Sequence, residues 1–406
     1  MFVAALLAAL CASAQAETVT AVGGRSVEGR IVELDASGNL VVEPARRGEA
    51  ERLPLADLVE IRFAEAAEGP ATDEPSAPRE ILMENGDRLL GDVLRIEKES
   101  LAVVLPRLGR LSAPLESVRG VLHPRRGVAE AIWARARAEV AADEGPAEDV
   151  LLLASGDRAA GIVKRLDAGR LELDHRALGK RVTVDLHDVI GLRFARLGAP
   201  AAAEKFVTAI VETRDGSRFS GKLVAAGSEK LRISWCGQEL SVPTREISRV
   251  SFRGGRLSWL SEMEPAAEKA QPLLGPAFKA ARDRTTGGRA LIVAGRTFRR
   301  GVAVRSRSEL TWKLDGAYAA FESFIGIDDE SGAGGEGSVR FRVLVDGVEK
   351  YASPVVRGGE PARFVRVDLA GAKEITLRVE EADEMDLADH ADWAEARLIK
   401  PEEKKK

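Results

Sequence analysis

Cysteine is scarce in this sequence, with two residues, Cys11 and Cys236, among 406. Cys11 lies in an amino-terminal segment that we expect to be removed, so the mature chain has no second cysteine for an intramolecular disulfide. Packing and hydrogen bonds must therefore hold the fold, although an exported protein would tolerate disulfides. The single cysteine that remains cannot supply the cysteine pair that is typical of a zinc site.

The sequence lacks the motifs of common catalytic centres. It contains no G-x-S-x-G nucleophile elbow, no H-E-x-x-H helix and no phosphate-binding P-loop. A glycoside hydrolase needs two placed carboxylates, which are typically held by a barrel of about 250 residues in which strands and helices alternate. Residues 17–255 instead have short strand patterns and one plausible helix. The sequence therefore predicts a protein that is not an enzyme.

Charge and hydropathy argue against two classes of partner. The formal net charge of −4 gives no reason to favour nucleic acid or an anionic membrane surface. Beyond the amino terminus, no apolar run approaches the roughly 20 residues of a membrane span. A length of 406 residues exceeds what one hydrophobic core usually supports, so we expect more than one domain.

The amino terminus has the pattern of a secretory signal peptide over residues 1–16. The run from Phe2 to Leu10 is apolar, and Ala14-Gln15-Ala16 supplies the small residues that signal peptidase requires. No basic residue precedes the apolar run. Leu10 stands where a lipoprotein signal normally has a small residue before its cysteine, which favours a soluble protein. We therefore expect cleavage near Ala16 and a secreted or periplasmic location.

Four segments repeat a pair of glycines five positions apart with an arginine between them, at 24–29, 86–91, 156–161 and 216–221. The first glycine usually follows a turn-forming residue, as in Asn85-Gly86, because glycine adopts positive φ at low cost. The second glycine suits a bulge or a sharp bend in a strand. Each segment closes with a short polar turn and a β-branched run, for example Leu186 to Phe194.

Four or five short strands in about 45 residues predict a small, strongly bent barrel. We therefore predict an all-β chain that begins with four barrel modules, at 17–64, 79–123, 148–195 and 205–253. Helix-forming residues with alternating charges predict a helical linker at 128–144. The glycine pattern and strand number resemble those of Sm-like small β-barrels. The acidic net charge and the predicted export favour packing or protein binding by these modules over RNA binding.

Longer strand patterns follow Leu257, and Asp-Gly turns at 315–316 and 346–347 separate some of them. They predict a two-sheet jelly-roll β-sandwich over 257–400, followed by a disordered tail at 401–406. Five segments have the order and spacing found in NPCBM domains, a family associated with carbohydrate binding: LSWLS (257–261), FRRGV (298–302), FESFIGIDD (321–329), VRFRVLVDG (339–347) and DHADW (389–393).

The region from Leu257 to Leu398 thus resembles an NPCBM domain. The resemblance implies a galactose-binding-like fold that is often attached to glycoside hydrolases and binds sugars in some members. One position departs from the family pattern, since Arg305 stands where a histidine is common. The resemblance therefore implies a carbohydrate as the class of ligand but names no particular sugar.

A sugar site combines an aromatic face with a few hydrogen-bonding groups. The candidates in this region are Trp259, Arg305, Trp312, His390 and Trp393. In the stretch DHADWAEARL, alternation places Trp393, Glu395 and Arg397 on one face of a strand. We favour a structural role for this stretch, in which Trp393 covers the edge of the sandwich and His390 and Asp389 hold the preceding loop.

Acidic loops in the same region offer oxygen ligands for Ca²⁺. The candidate ligands are Asp328, Asp329, Asp386 and Asp389. They follow no fixed ligand-spacing signature, so solvated loops are the alternative interpretation.

These patterns predict an exported, non-catalytic protein whose sandwich binds a carbohydrate or a cell-surface glycan. The barrel modules would act as spacers or bind another protein. The alternatives are a structural scaffold without a sugar site and an accessory component of a glycoside hydrolase. An exposed aromatic ring beside convergent polar groups would favour glycan binding, whereas a sealed Trp393 and a flat surface near Arg305 would favour the scaffold.

Overall fold

The computed structural model describes residues 16–64, 79–97, 99–195, 206–273, 277–331, 336–383 and 388–402. Within them, regular structure is almost entirely β-strand with a single α-helix, which confirms the predicted all-β class. The chain forms two compact units, one of residues 1–20 and 26–252 and the other of residues 21–25 and 253–406. The predicted signal peptide lies outside the described residues except for Ala16. No helix of the described residues is long and apolar enough to cross a membrane.

The first unit contains four successive groups of five strands, which we call modules 1 to 4. Module 1 comprises β1 Glu17–Ala21, β2 Ser26–Leu34, β3 Asn39–Pro44, β4 Glu51–Pro54 and β5 Leu58–Arg62. Module 2 comprises β6 Arg79–Met83, β7 Arg88–Glu97, β8 Ser100–Leu105, β9 Gly109–Pro114 and β10 Val118–Leu122. Module 3 comprises β11 Asp149–Leu153, β12 Arg158–Asp167, β13 Arg170–His175, β14 Lys180–Asp185 and β15 Val189–Arg193. Module 4 comprises β16 Thr208–Thr213, β17 Arg218–Ala226, β18 Lys230–Trp235, β19 Gln238–Pro243 and β20 Ile247–Arg253.

Every module has the same strand order. The fifth strand pairs with the first, and the second, third and fourth follow on the other side of the first. A single 3₁₀ turn joins the fourth strand to the fifth, and these turns span Leu55–Asp57, Leu115–Ser117, Leu186–Asp188 and Thr244–Glu246. The polar short turns in the sequence therefore mark the entry to each closing strand.

The two glycines of each repeated pair are required for different physical reasons. The first glycines of modules 2 to 4 lie in hairpin turns with positive φ, for example 92° at Gly156, where a side chain would be strained. The second glycines lie in extended backbone, where the third strand passes too closely for a side chain. A Cβ on Gly161 would lie 2.2 Å from the carbonyl oxygen of Asp174. The bulge in the second strand comes three residues later, as at Lys164.

The four modules join in pairs through their closing strands. Strand β10 of module 2 pairs antiparallel with β15 of module 3, and Val121 lies opposite Leu192. Strand β5 of module 1 pairs in the same way with β20 of module 4, and Ile61 lies opposite Val250. All four residues are the fourth residue of their strand, so the two pairs share one register. Together β1–β20 form one continuous sheet.

Helix α1, Glu130–Ala141, packs on the paired closing strands of modules 2 and 3. A Cβ on Gly120 would lie 2.4 Å from the carbonyl oxygen of Leu192 and 2.9 Å from Val140 of the helix, so glycine at this position lets both the partner strand and the helix approach. At the equivalent positions of modules 1 and 4, Glu60 and Arg249 form an ion pair with a distance of 3.3 Å. The closing strands of modules 2 and 3 therefore contact an apolar helix, whereas those of modules 1 and 4 have an ion pair at the same position.

The second unit is a sandwich of two sheets, as predicted. The first sheet has the order β23-β26-β34-β28-β32, with β21 also on β34, and the second has the order β22-β27-β33-β29-β30, with β31 also on β29. The strands of the first sheet are β21 Leu257–Trp259, β23 Ala281–Arg282, β26 Gly301–Arg305, β28 Ala320–Ile327, β32 Arg363–Asp368 and β34 His390–Ile399. Those of the second are β22 Ala267–Ala270, β27 Ser308–Lys313, β29 Ser338–Val345, β30 Val348–Ala352, β31 Val356–Arg357 and β33 Glu374–Glu381.

The core of the second unit lies between the two sheets. It contains large side chains from both, including Trp312, Phe321, Phe341 and Trp393, all nearly inaccessible to solvent. A separate hairpin of β24 Leu291–Val293 and β25 Arg296–Phe298 buries its apolar residues against Ala303 and Ala394. Short 3₁₀ turns occur at Val22–Gly24, Leu260–Glu262 and Asp329–Ser331. The hairpin and the last of these turns shape the region described next.

Candidate functional site

The three tryptophans of the sandwich are buried, with exposed fractions of 4% for Trp259, 1% for Trp312 and 0% for Trp393. The indole N–H of Trp312 donates to the carbonyl oxygen of Met263 at 3.2 Å. The ring of Trp393 meets that of Phe341 edge to face, with centroids 5.0 Å apart. Protein atoms thus cover the tryptophan rings that sequence reasoning offered for sugar stacking.

Trp393 lies in the core, and the prediction that it covers the edge of the sandwich is wrong. Strand β34 is central in its sheet, between β26 and β28, so its inward side chains meet the second sheet. The predicted strict alternation also fails, because the register shifts in the middle of the strand and Glu395 has a φ of 50°. This bulge places Trp393 and Leu398 in the same core and turns Arg397 away from it.

The acids proposed as calcium ligands hold loops in place. Asp328 accepts hydrogen bonds from the backbone N–H groups of Ile292 and Glu330, at 2.8 and 2.7 Å. Asp329 likewise accepts from Ala294 and Gly295 at the tip of the β24–β25 hairpin.

The remaining acids give no further support for a metal. Asp389 accepts from the backbone of Ser338 at 2.8 Å, and Asp386 lies outside the described residues. Among the residues that the structure describes, no group of three or more acids, histidines or cysteines is arranged to hold a metal ion.

Arg305 and His390 are brought together at the end of the first sheet. They lie opposite each other in the pairing of β26 with β34. The guanidinium carbon of Arg305 lies 3.8 Å from the ring centroid of Phe278, which is 40% exposed. Nδ1 of His390 lies 3.7 Å from Oε2 of Glu330, too long for a direct hydrogen bond but within ion-pair range. We call Phe278, Arg305, Glu330 and His390 the Arg305 patch.

The charges in this patch follow from burial and neighbours. Burial first, and then the positive charge of Arg305, lower the pKa of His390, so the imidazole is neutral near pH 7. Burial acts to raise the pKa of Glu330, but hydrogen bonds from the side chain of Thr285 and the backbone of Gly287, together with His390, lower it on balance. The patch thus offers an ionised carboxylate, a neutral imidazole and a guanidinium.

Asp392 lies behind the patch and is 1% exposed. Burial first, and then the neighbouring carboxyl of Asp328, raise the pKa of Asp392 well above its usual value. The raised pKa favours the protonated, uncharged form of this carboxyl over the ionised form.

Sequence reasoning found Arg305 and His390 but missed Phe278 and did not select Glu330 as a binding residue. Phe278 stands in an irregular segment, so neither strand periodicity nor a motif marks it. Glu330 directly follows the Asp328-Asp329 pair, and only folding shows that it approaches His390.

A cleft of about 710 Å³ lies along the second sheet. Its charged residues are largely paired, as in the 2.9 Å contact between Arg378 and Glu309 and the ion pair of Arg307 with Glu381. Its lining contains no aromatic ring. The cleft therefore lacks the stacking surface that the Arg305 patch provides.

Arg305 and His390 thus place a small aromatic and polar patch at strand ends of a β-sandwich. Residues 256–399 match the family model of the NPCBM/NEW2 domain, so the second unit contains an NPCBM domain and the predicted resemblance is confirmed.

One curated relative matches part of this chain. A protein of Renibacterium salmoninarum, provisionally assigned as an endo-alpha-N-acetylgalactosaminidase, is 33% identical over 112 residues. The match covers 28% of this chain and 7% of that protein. The chain thus spans a small fraction of the relative's length.

Solved CBM51 modules also match. The CBM51 module from Clostridium perfringens GH95, in complex with methyl-galactose, is 25% identical, and the match covers 35% of this chain and 99% of that chain with a TM-score of 0.32. The structure of CBM51-2 in complex with GlcNAc and INT domains from Clostridium perfringens ZmpB is 23% identical, covering 45% of this chain and 44% of that chain with a TM-score of 0.33.

Proposed function

We propose that the NPCBM domain of this chain binds a glycan through the Arg305 patch. The observation that carries the proposal is an exposed aromatic ring, Phe278, beside three polar side chains that reach the same strand ends. Aromatic faces bind the apolar faces of sugar rings, and a few fixed polar groups orient the hydroxyls. The match to the NPCBM family supports this choice of ligand class.

Each group of the patch has a distinct task in this proposal. Phe278 contacts a sugar ring, since the guanidinium of Arg305 covers only part of the phenyl group. Arg305 donates hydrogen bonds, Glu330 accepts them, and the neutral imidazole of His390 has one donor and one acceptor. One aromatic contact and a few polar contacts predict a Kd on the order of 0.1–1 mM, about −4 to −5.5 kcal/mol.

For the whole protein, we propose an exported, non-catalytic role in which the modules space the NPCBM domain or bind another protein. The apolar amino terminus with Ala14-Gln15-Ala16 supports export. The continuous sheet of β1–β20 supports a spacer, because its strands are fixed in one assembly. An accessory role beside a glycoside hydrolase is a second candidate, favoured by the Renibacterium relative.

A structural scaffold without a sugar site is the competing function, and the burial of the three tryptophans favours it. Titration of the full mature chain with a glycan panel that includes galactose, N-acetylgalactosamine and N-acetylglucosamine separates the two. We expect saturable binding that Phe278→Ala weakens at least tenfold.

The matched control is Phe364→Ala, which removes another phenylalanine of similar exposure, 37%, on β32. It should leave the affinity within twofold of the unmodified chain. Thermal melts of both variants establish that they are folded. If the folded chain binds none of the glycans, the glycan-binding proposal is wrong and the scaffold function stands.

A further inference from the structure

We infer that the Arg305 patch selects sugars that carry a carboxylate, which Arg305 binds through two parallel hydrogen bonds. This inference rests on the proposed glycan binding and adds the class of sugar. It rests on the ion pairing of one guanidinium. Among the described residues, Arg305 has no carboxylate partner, whereas neighbouring arginines of the domain have one.

Neighbouring arginines of the sandwich are paired with carboxylates. Arg300 contacts Glu262 at 2.6 Å, and Arg307 and Arg366 form ion pairs with Glu381 and Glu322. Arg305 has no carboxylate within ion-pair distance among the described residues, and its Nε is buried without a hydrogen-bond acceptor there. The terminal nitrogens of Arg305 thus have no carboxylate partner in the described part of the free protein, so a carboxylate supplied by a ligand would be a favourable partner.

The contact with Phe278 fixes the orientation of this guanidinium. A guanidinium that lies over an aromatic ring uses its face for the cation–π contact, at 3.8 Å from the centroid here. Its terminal N–H groups lie in its own plane and so take no part in the contact with the ring. The fork of N–H groups matches the two oxygens of a carboxylate, and a pre-oriented fork loses little entropy when it binds.

Among the described residues, no nearby acid forms an ion pair with this guanidinium. The two oxygens of Asp328 accept backbone N–H groups, and those of Asp329 do the same at the adjoining hairpin. Glu330 lies 3.7 Å from the guanidinium of Arg289 as well as near His390. Arg305 is therefore the cation of the patch that a ligand anion can still pair with.

The test uses sugars that differ only by the acid: methyl galactoside against methyl galacturonoside, and methyl glucoside against methyl glucuronoside. Calorimetric titration of the full mature chain at about 0.05 M salt should show at least tenfold tighter binding of each uronic acid. Raising the salt to about 0.5 M should reduce this ratio, because the ion pair is partly exposed. Galactose 6-sulfate reports whether the site accepts any anion.

Variants assign the preference to Arg305. Arg305→Gln should bring the acidic and neutral sugars to within about threefold of each other, and Arg305→Lys should keep part of the difference. Arg340→Gln, an exposed arginine on β29 of the other sheet, is the matched control and should change nothing. If Arg305→Gln does not fold, the ratio in the unmodified chain and its loss at high salt decide the question.

Each outcome separates the inference from the proposed function. Equal binding of neutral and acidic sugars would overturn the acidic preference and leave glycan binding standing. Equal or tighter binding of the sulfate would replace carboxylate selection by a general anion site and so overturn the inference. No binding of any sugar would overturn both.

Discussion

The indole N–H of Trp235 donates a 3.0 Å hydrogen bond to the carboxylate of Asp87, although 148 residues separate them. The same carboxylate accepts from the backbone N–H and the hydroxyl of Ser220. Asp87 is 1% exposed and belongs to the hairpin turn of module 2, whereas both donors belong to module 4. One buried acid thus joins the two module pairs.

Replacing Asp87 by alanine should lower the free energy of unfolding of the first unit by about 3 kcal/mol, because several buried donors lose their acceptor together. Urea unfolding followed by tryptophan fluorescence measures the change. The matched control is Asp92→Ala, since the side chain of Asp92 is 72% exposed and forms a surface ion pair with Arg79. That change should cost less than about 1 kcal/mol, and equal effects of the two would contradict the role of Asp87.

Gly161→Ala should destabilise the first unit by about 2–3 kcal/mol, because the new Cβ would overlap the carbonyl oxygen of Asp174. Thermal unfolding measures this loss as a lower Tm. Gly48→Ala is the control, since no atom lies closer than 3.7 Å to its added Cβ. A Gly161→Ala protein as stable as the Gly48→Ala protein would show that the strands can move apart.

The ion pair of Arg397 with Glu322 should behave as a coupled unit, because both side chains are 0% exposed and lie 2.9 Å apart. Arg397→Met alone should destabilise the sandwich by about 3 kcal/mol, since it leaves a buried carboxylate with less compensation. The double variant with Glu322→Gln should recover much of that loss. A double-mutant cycle measures the coupling.

The control cycle uses Arg378 and Glu309, a 2.9 Å pair in which each side chain is about one third exposed. Its coupling should be below about 1 kcal/mol. Additive effects at Arg397 and Glu322 would mean that burial does not couple the two charges.

Asp392 gives the sandwich a predictable pH dependence. Its pKa is raised in the folded state by burial first and then by Asp328, so the folded protein holds a proton that the unfolded chain releases above about pH 4. The contribution of this group to stability is therefore full below pH 4 and is lost as the pH rises toward its folded pKa.

Asp392→Asn cannot ionise, so it should be more stable than the unmodified protein at pH 7 and lose this advantage at pH 4. Thermal melts at pH 4, 5.5 and 7 measure the difference. Subtracting the melting temperatures of the two proteins removes the pH dependence that they share. A difference that stays constant with pH would contradict a raised pKa at Asp392.

Local chemistry made much of the fold predictable. The Asn85-Gly86 turn and its equivalents, the alternating strands and the NPCBM segments depend on neighbours in the sequence, and each has a pattern that can be read directly. The bulge at Glu395 breaks such a pattern within the strand, because the shift in pairing with β28 places Ala396 and Leu398 on the same core side as Trp393. Alternation along one strand could not reveal it.

The candidate site was less predictable because it depends on contacts between distant segments. Arg305 and His390 are 85 positions apart in sequence number, and strand pairing alone makes them neighbours. Phe278 reaches Arg305 from an irregular segment. The tryptophans were attractive candidates because of their chemistry, yet the same large apolar surface explains why folding buries them.

The pairing of closing strands limits how this architecture can grow. Strands β5, β10, β15 and β20 each use one edge within their own module and the other edge for their partner. This symmetric contact is satisfied by two modules and does not propagate, unlike the head-to-tail contacts of a solenoid. Lengthening the first unit by gene duplication would thus favour adding modules two at a time, since a single extra module would expose a strand edge prone to aggregation.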